Sequence, residues 1–212
     1  MRRIIGWMFG ALLICASSGA RAEMVEPDAL VRNTVQEVLE VVRQDKDIRA
    51  GNQKKILELV DAKVLPHFDF TRMTQLAVGK HWRAATAEQK QTLVAEFRNL
   101  LVRTYTKAFT VYRDQNVEVK PFKMPAGATE VTVKTVILKP GAQPIPVDYD
   151  LQKTATDWKV YDLSIEGVSL VTNYRGTFAE QVQQAGIEGL IKMLADKNQA
   201  AAATPLRKAD GK

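Results

Sequence analysis

Cysteine is nearly missing from this chain: it has one, Cys15, and only two histidines, His67 and His81. A zinc site needs three or four Cys, His or carboxylate ligands. The spacing of His67, Asp69 and His81 matches no such set, so no metal centre is expected. Aromatic residues are an ordinary 7% and do not interleave with Arg or Lys, which argues against a single-strand nucleic-acid binder. No glycine-rich phosphate loop occurs. The best candidate serine nucleophile, Ser169 in Gly167-Val168-Ser169-Leu170-Val171, lacks the second glycine of a nucleophile elbow. It stands where a strand gives way to a helix, and there Ser is a favoured N-cap. Asp148 and Asp150 share a strand face but alternate with Val147, Tyr149 and Leu151. They read as solvated charges rather than as the paired carboxylates of a glycosidase. An apolar run of bilayer-spanning length, about 20 residues, is also missing.

The longest apolar run, Ile4 to Cys15, follows Met1-Arg2-Arg3 and precedes Ala20-Arg21-Ala22. A basic start, a dozen apolar residues and a small-x-small site form a signal peptide over residues 1–22. An N-terminal anchor helix is the other reading, and the run is short for it. Ile14 before Cys15 departs from the small residue that lipidation requires. The expectation is an exported protein of the periplasm or beyond, cut after Ala22 and starting at Glu23. Its 190 residues then contain no cysteine, so the core alone must hold the fold. Losing Arg2, Arg3 and Arg21 from 30 basic residues leaves 27 against 24 acidic, a net charge of +3. That mild excess suits acidic lipid headgroups or an acidic partner face. It is no nucleic-acid stripe.

Residues 23–197 read as one domain and 198–212 as an Ala-rich, disordered tail. Leu30, Val31, Val35, Val38, Leu39 and Val42 recur at helical spacing after Pro27, and Ile56, Leu57, Val60 and Val64 do so after Asn52. Asp69 or Thr71 can cap a short helix that Gly79 ends. Thr86-Ala-Glu-Gln89 is a capping box opening a helix to about Tyr112. Beyond Asn116 the period changes to two. Val117–Val119, Thr129–Leu138, Val147–Leu151 and Trp158–Leu163 make a meander of about four strands. Thr129–Leu138 is apolar on both faces, so cover on both sides is expected. Ser169–Arg175 returns to helix, and Thr177 can cap a last helix softened by Gly186 and Gly189.

This order gives an α+β fold, an antiparallel sheet of about four strands packed against a helical layer. Val131, Val133, Ile137, Val147, Tyr149, Trp158 and Val160 share one sheet face. Phe97, Leu101 and Tyr105 can oppose them from the long helix. An apolar stripe usually means packing, and the pattern does not show whether the layers meet or leave a cavity.

Three blocks resemble the MlaC family, also called toluene-tolerance proteins. The first runs from Phe68-Asp69-Phe70-Thr71-Arg72-Met73 through Val78-Gly79-Lys80-His81-Trp82-Arg83 to the Thr86 capping box. The second is Tyr105–Phe109. The third joins Asp157-Trp158-Lys159-Val160-Tyr161-Asp162 to Ile165–Leu170 and Asn173-Tyr174-Arg175. The resemblance implies a periplasmic phospholipid carrier without a cofactor, its lipid being cargo. It implies partners in an inner-membrane ABC transporter complex and an outer-membrane MlaA-type lipoprotein with porin, and a role in outer-membrane lipid asymmetry. Acyl chains are then expected against Phe97, Leu101, Tyr105, Val131, Val133, Ile137, Val147, Tyr149, Trp158, Val160 and Leu170. Headgroup or partner contacts fall to Arg72, Lys80, Arg83 and Arg175. An exported hydrolase using Ser169 and a non-lipid structural adaptor with a filled core are the rival readings.

Overall fold

The computed structural model describes residues 24–106 and 115–203; the expected signal peptide, Phe109 and Tyr112 lie outside them. Helix α1 is Pro27–Gln44, with proline in its first turn, where a missing N–H costs nothing. Asp45 then accepts from the Asp47 and Ile48 N–H groups at 2.8 and 3.1 Å and caps the one-turn helix α2, Lys46–Arg49. Asn52 caps α3, Gln53–Lys63. A 3-10 turn at Leu65–His67 leads to α4, Phe70–Val78, where the Asp69 carboxylate accepts from the Arg72 N–H at 2.8 Å. Gly79, at φ 62°, ends α4 in a conformation that side chains disfavour. The capping box forms as expected: Thr86 Oγ1 accepts from the Gln89 N–H at 3.1 Å, and Gln89 Oε1 accepts from the Thr86 N–H at 2.9 Å. It opens α5, Ala87–Tyr105.

Among the described residues the sheet has five antiparallel strands in sequence order, one more than the roughly four expected: β1 Asn116–Val119, β2 Glu130–Leu138, β3 Ile145–Lys153, β4 Trp158–Ile165 and β5 Val168–Ser169. The addition, β5, is a two-residue edge that pairs with Ser164 and Ile165. It is too short to show a period in sequence. Expected cover on both faces of β2 is not found, because Thr132 and Lys134 are exposed on the outer side. Between β3 and β4 the register shifts, pairing Asp150 with Asp162 but Leu151 with Val160. Tyr161 is thus the extra residue of a β-bulge. Strict alternation would place Val160 and Asp162 on one face and Leu163 on the other. The bulge reverses that phase, turning Leu163 and Ile165 inward.

The chain closes with α6, Leu170–Ala203, two helical stretches that meet at Gly186, instead of a short helix followed by a second capped at Thr177. Ser169 is the cap, its Oγ accepting from the Thr172 N–H at 3.0 Å. Gly186, at φ 69° and ψ −173°, kinks α6. Helix continues past the domain edge expected at residue 197. Asn198 is buried, with its amide donating to the Glu96 carbonyl at 2.9 Å. That polar anchor against α5 holds a stretch whose composition alone reads as frayed.

Three packed clusters support the fold. Helices α4, α5 and α6 share Met73, Leu93, Phe97, Phe178, Leu190 and Leu194. Phe97 packs edge-on against Phe178 and Tyr174, centroids 5.1 Å apart in each pair. At one end of the sheet Val131, Val133, Leu151, Trp158 and Val160 close against Val31 of α1. Val38 and Val42 join α1 to Ile48, Ile56 and Leu59. No described helix is long and apolar enough to cross a membrane.

Candidate functional site

Between the inner face of the sheet and helices α1, α3, α4 and α5 lies a cavity of about 470 Å³, within the range of small-molecule sites. Among the described residues its wall contains no Asp, Glu, Lys or Arg. From α1 come Leu30, Val31, Val35, Val38, Leu39 and Val42, with Leu101 and Tyr105 from α5. The sheet adds Val117, Ile137, Ile145, Val147, Tyr149 and Val160, together with the Leu163 and Ile165 that the bulge turns inward. Phe68 and Phe70 form the floor where the Asp69 N–H donates to the Val160 carbonyl at 2.8 Å.

Few polar groups reach this space. Burial raises the phenols of Tyr105 and Tyr149 above their usual value, so both stay neutral. The His67 imidazole is held below its usual value, by desolvation first and by the positive charge of Lys159 second. It too favours its neutral form. The lining therefore contributes no formal charge at neutral pH and suits an uncharged, apolar guest.

Of the residues expected against acyl chains, Leu101, Tyr105, Ile137, Val147, Tyr149, Val160 and Leu170 line the cavity. Four do not. Phe97 is enclosed by Tyr174 and Phe178, while Val131, Val133 and Trp158 belong to the cluster that closes one end of the sheet. Sequence reasoning passed over the whole α1 wall. Its helical stripe was legible, but a stripe facing a cavity has the same spacing as one facing a partner helix. Leu163 and Ile165 were missed because a bulge has no period-two signature.

Arg72, Lys80, Arg83 and Arg175 do not line the cavity. Arg72 lies 3.7 Å over the Tyr161 ring and pairs with Glu130 at 2.6 Å. Arg175 donates to the Leu76 carbonyl at 3.0 Å. Lys80 and Arg83 are exposed on the 3-10 turn Gly79–Ala84. A second hollow, about 610 Å³, opens on the outer sheet face among Lys120, Lys123, Glu130, Thr132 and Lys134. Its charged lining makes it a solvated trough, despite the larger volume.

Nothing in the described geometry assembles a nucleophile. Ser169 donates its hydroxyl to Asp162 and uses its oxygen as a helix cap. Asp162 also accepts from the main-chain N–H groups of Leu163 and Val171, at 2.8 and 3.1 Å. Both residues thus serve the turn from β5 into α6. Among the described residues no group of three His, Cys, Asp or Glu side chains could hold a metal.

Helices laid over a bulged antiparallel sheet, with an apolar cavity between the layers, make this an α+β fold. The chain belongs to the MlaC family, whose model, described as MlaC protein, matches residues 32–196. It is 26% identical to the toluene tolerance protein ttg2D of Pseudomonas putida, over 84% of this chain and 86% of that protein. It is 25% identical to the intermembrane phospholipid transport system binding protein MlaC of Haemophilus influenzae, over 68% and 72% of the two chains. A solved structure of the phospholipid-binding protein from Ralstonia solanacearum, in complex with a phospholipid, superposes with a TM-score of 0.78. That similarity has 38% identity and covers 84% of this chain and 99% of the other.

Proposed function

We propose that this protein is a periplasmic phospholipid carrier that holds acyl chains in the cavity between sheet and helices. The observation that carries this reading is the cavity wall, which has many aliphatic side chains and, among the described residues, no charged one. Family membership and the phospholipid in the Ralstonia solanacearum structure support it. Each methylene removed from water contributes about 0.8 kcal/mol. Even a partly buried acyl chain therefore supplies more than reversible carriage needs, and release requires an acceptor. In this reading the acceptor and donor are the inner-membrane ABC transporter complex and the outer-membrane MlaA-type lipoprotein with porin. The protein is their soluble substrate-binding component, and its work is carriage rather than catalysis, without a cofactor. In this reading Lys80 and Arg83, which are exposed and clear of the cavity, contact a partner. Arg72 and Arg175 serve the fold.

Transfer tests this directly. Labelled phospholipid should move from donor to acceptor vesicles only when the protein is added, at a rate that rises with its concentration. Adding the reconstituted inner-membrane complex to the acceptor should speed it further. No protein-dependent transfer would sink the carrier reading. Transfer indifferent to the complex would sink the partner assignment alone.

A further inference from the structure

We propose that Arg72 is a positioning residue for lipid retention. From the outer face of the sheet it clasps the helical wall of the cavity to the strands, and so sets how fast bound phospholipid exchanges. This inference rests on the phospholipid reading of the cavity. Among the described residues, the apolar cluster of α4, α5 and α6 and the cluster of the sheet with α1 have one member in common, Phe68. The cavity lies between them, with Leu101 and Tyr105 on one side and Val147, Tyr149 and Leu163 on the other. Two bodies that pack separately around a cavity are held together by their joints. Opening between them breaks few buried apolar contacts, so the joints set its free energy.

One joint is the turn from β5 into α6, where Asp162 accepts from the Ser169 hydroxyl and the Val171 N–H. The other begins at Phe68, which forms a parallel bridge with Val160, and continues in the Asp69 N–H bonded to the Val160 carbonyl. Here α4 turns Phe70 and Met73 to the cavity and sends Arg72 the other way. The Arg72 guanidinium lies 3.7 Å over the ring of Tyr161 on β4, donates to Gln152 on β3 and pairs with Glu130 on β2 at 2.6 Å. Glu130 and Gln152 are cross-strand partners. Tyr161 and Glu130 border the outer hollow, not the cavity. The Tyr161 hydroxyl donates to Glu130 at 3.2 Å, and the Gln152 amide donates to Asp69, the cap of α4. One side chain thus ties α4 to three strands without lining the cavity. Arginine suits this task, because its flat guanidinium stacks on a ring and forks to two acceptors at once, which a lysine ammonium does not. Without the clasp, Phe68, Phe70 and Met73 can draw away from the sheet, and a bound lipid leaves sooner.

The full-length mature protein is loaded with deuterated phosphatidylethanolamine and mixed with excess vesicles of the unlabelled lipid. Its bound lipid is then followed over time by native mass spectrometry. Arg72→Ala and Tyr161→Ala should each speed exchange about tenfold, the strength of one cation stacked on a ring, with lipid per protein at saturation unchanged. The double variant should exchange no faster than the quicker single one, because both changes remove the same clasp. Thr86→Ala removes the cap at the end of α5 remote from Tyr105, so it lowers stability without touching the joint. Its exchange should match wild type. Should Arg72→Ala not fold, Arg72→Lys, which keeps a charge for Glu130 but loses the flat stack, is read by the same rate. A folded Arg72 variant exchanging at the wild-type rate overturns the proposal. So does a double variant whose effects multiply, or a Thr86→Ala protein that exchanges as fast as the Arg72 variant. In each case lipid still loads and the carrier reading stands. A wild-type protein that takes up no lipid overturns both.

Discussion

Val147→Arg places a charge in the middle of the cavity wall. Val147 is 6% exposed and pairs with Thr135 of β2 on one side and Ile165 of β4 on the other. The longer side chain displaces roughly four methylenes of any acyl chain lying there, at about 0.8 kcal/mol each. That alone is about 3 kcal/mol, more than a hundredfold in affinity. The wall offers the guanidinium no acidic partner among the described residues, which disfavours an acyl neighbour further. The guanidinium can still extend along the cavity toward water, so the folded state should survive. The assay is phospholipid per mole of protein, from organic extracts of wild type and variant purified alike, with circular dichroism to confirm folding. Val147→Phe, which narrows the cavity without charge, should show a smaller loss. A folded Val147→Arg protein carrying wild-type amounts of lipid would refute the placement of acyl chains against this strand.

Other perturbations separate the cavity from the scaffold. Ser169→Ala removes the cap on α6 and the hydroxyl bonded to Asp162. It should cost about 1–2 kcal/mol in denaturant unfolding while leaving lipid content unchanged; loss of an esterase activity in this variant would favour a hydrolase instead. Gly186→Ala puts a Cβ into open space but at φ 69° and ψ −173°, so only backbone strain of about 1–3 kcal/mol acts. Melting should fall by roughly 2–12 °C; an unchanged melting temperature would mean that the kink is absent in solution. His67 has a lowered pKa in the folded state, so the unfolded chain binds its proton first. Stability should be full above about pH 6.5 and decline as pH falls through the lowered folded value. His67→Gln should flatten that part of the profile, and an unaltered profile would assign it to other groups.

Local rules made much of the fold legible. The capping box at Thr86, the caps at Asp69 and Ser169, and the stop at Gly79 each depend on a few neighbouring residues, and all form. Period-two strands were legible for the same reason. What lay beyond reach depends on register and on distant contacts. The Tyr161 bulge shifts the phase of β4 without marking its composition, hiding Leu163 and Ile165 from a reading by alternation. Asn198 is held by Glu96, about a hundred residues away in sequence, so its Ala-rich surroundings read as tail. The α1 stripe was recognised as apolar but not as a cavity wall, because spacing records which face is buried and not what fills it. Gln115, which also lines the cavity, stands beside charged neighbours in sequence and gives no sign there of facing an apolar space.

The central claim is that the cavity holds phospholipid, and native mass spectrometry of the intact wild-type protein tests it most directly. The account predicts a population heavier than the bare chain by the mass of a diacyl phospholipid, abolished by organic denaturant and restored by incubation with phospholipid vesicles. A bare chain mass both as purified and after that incubation would contradict it.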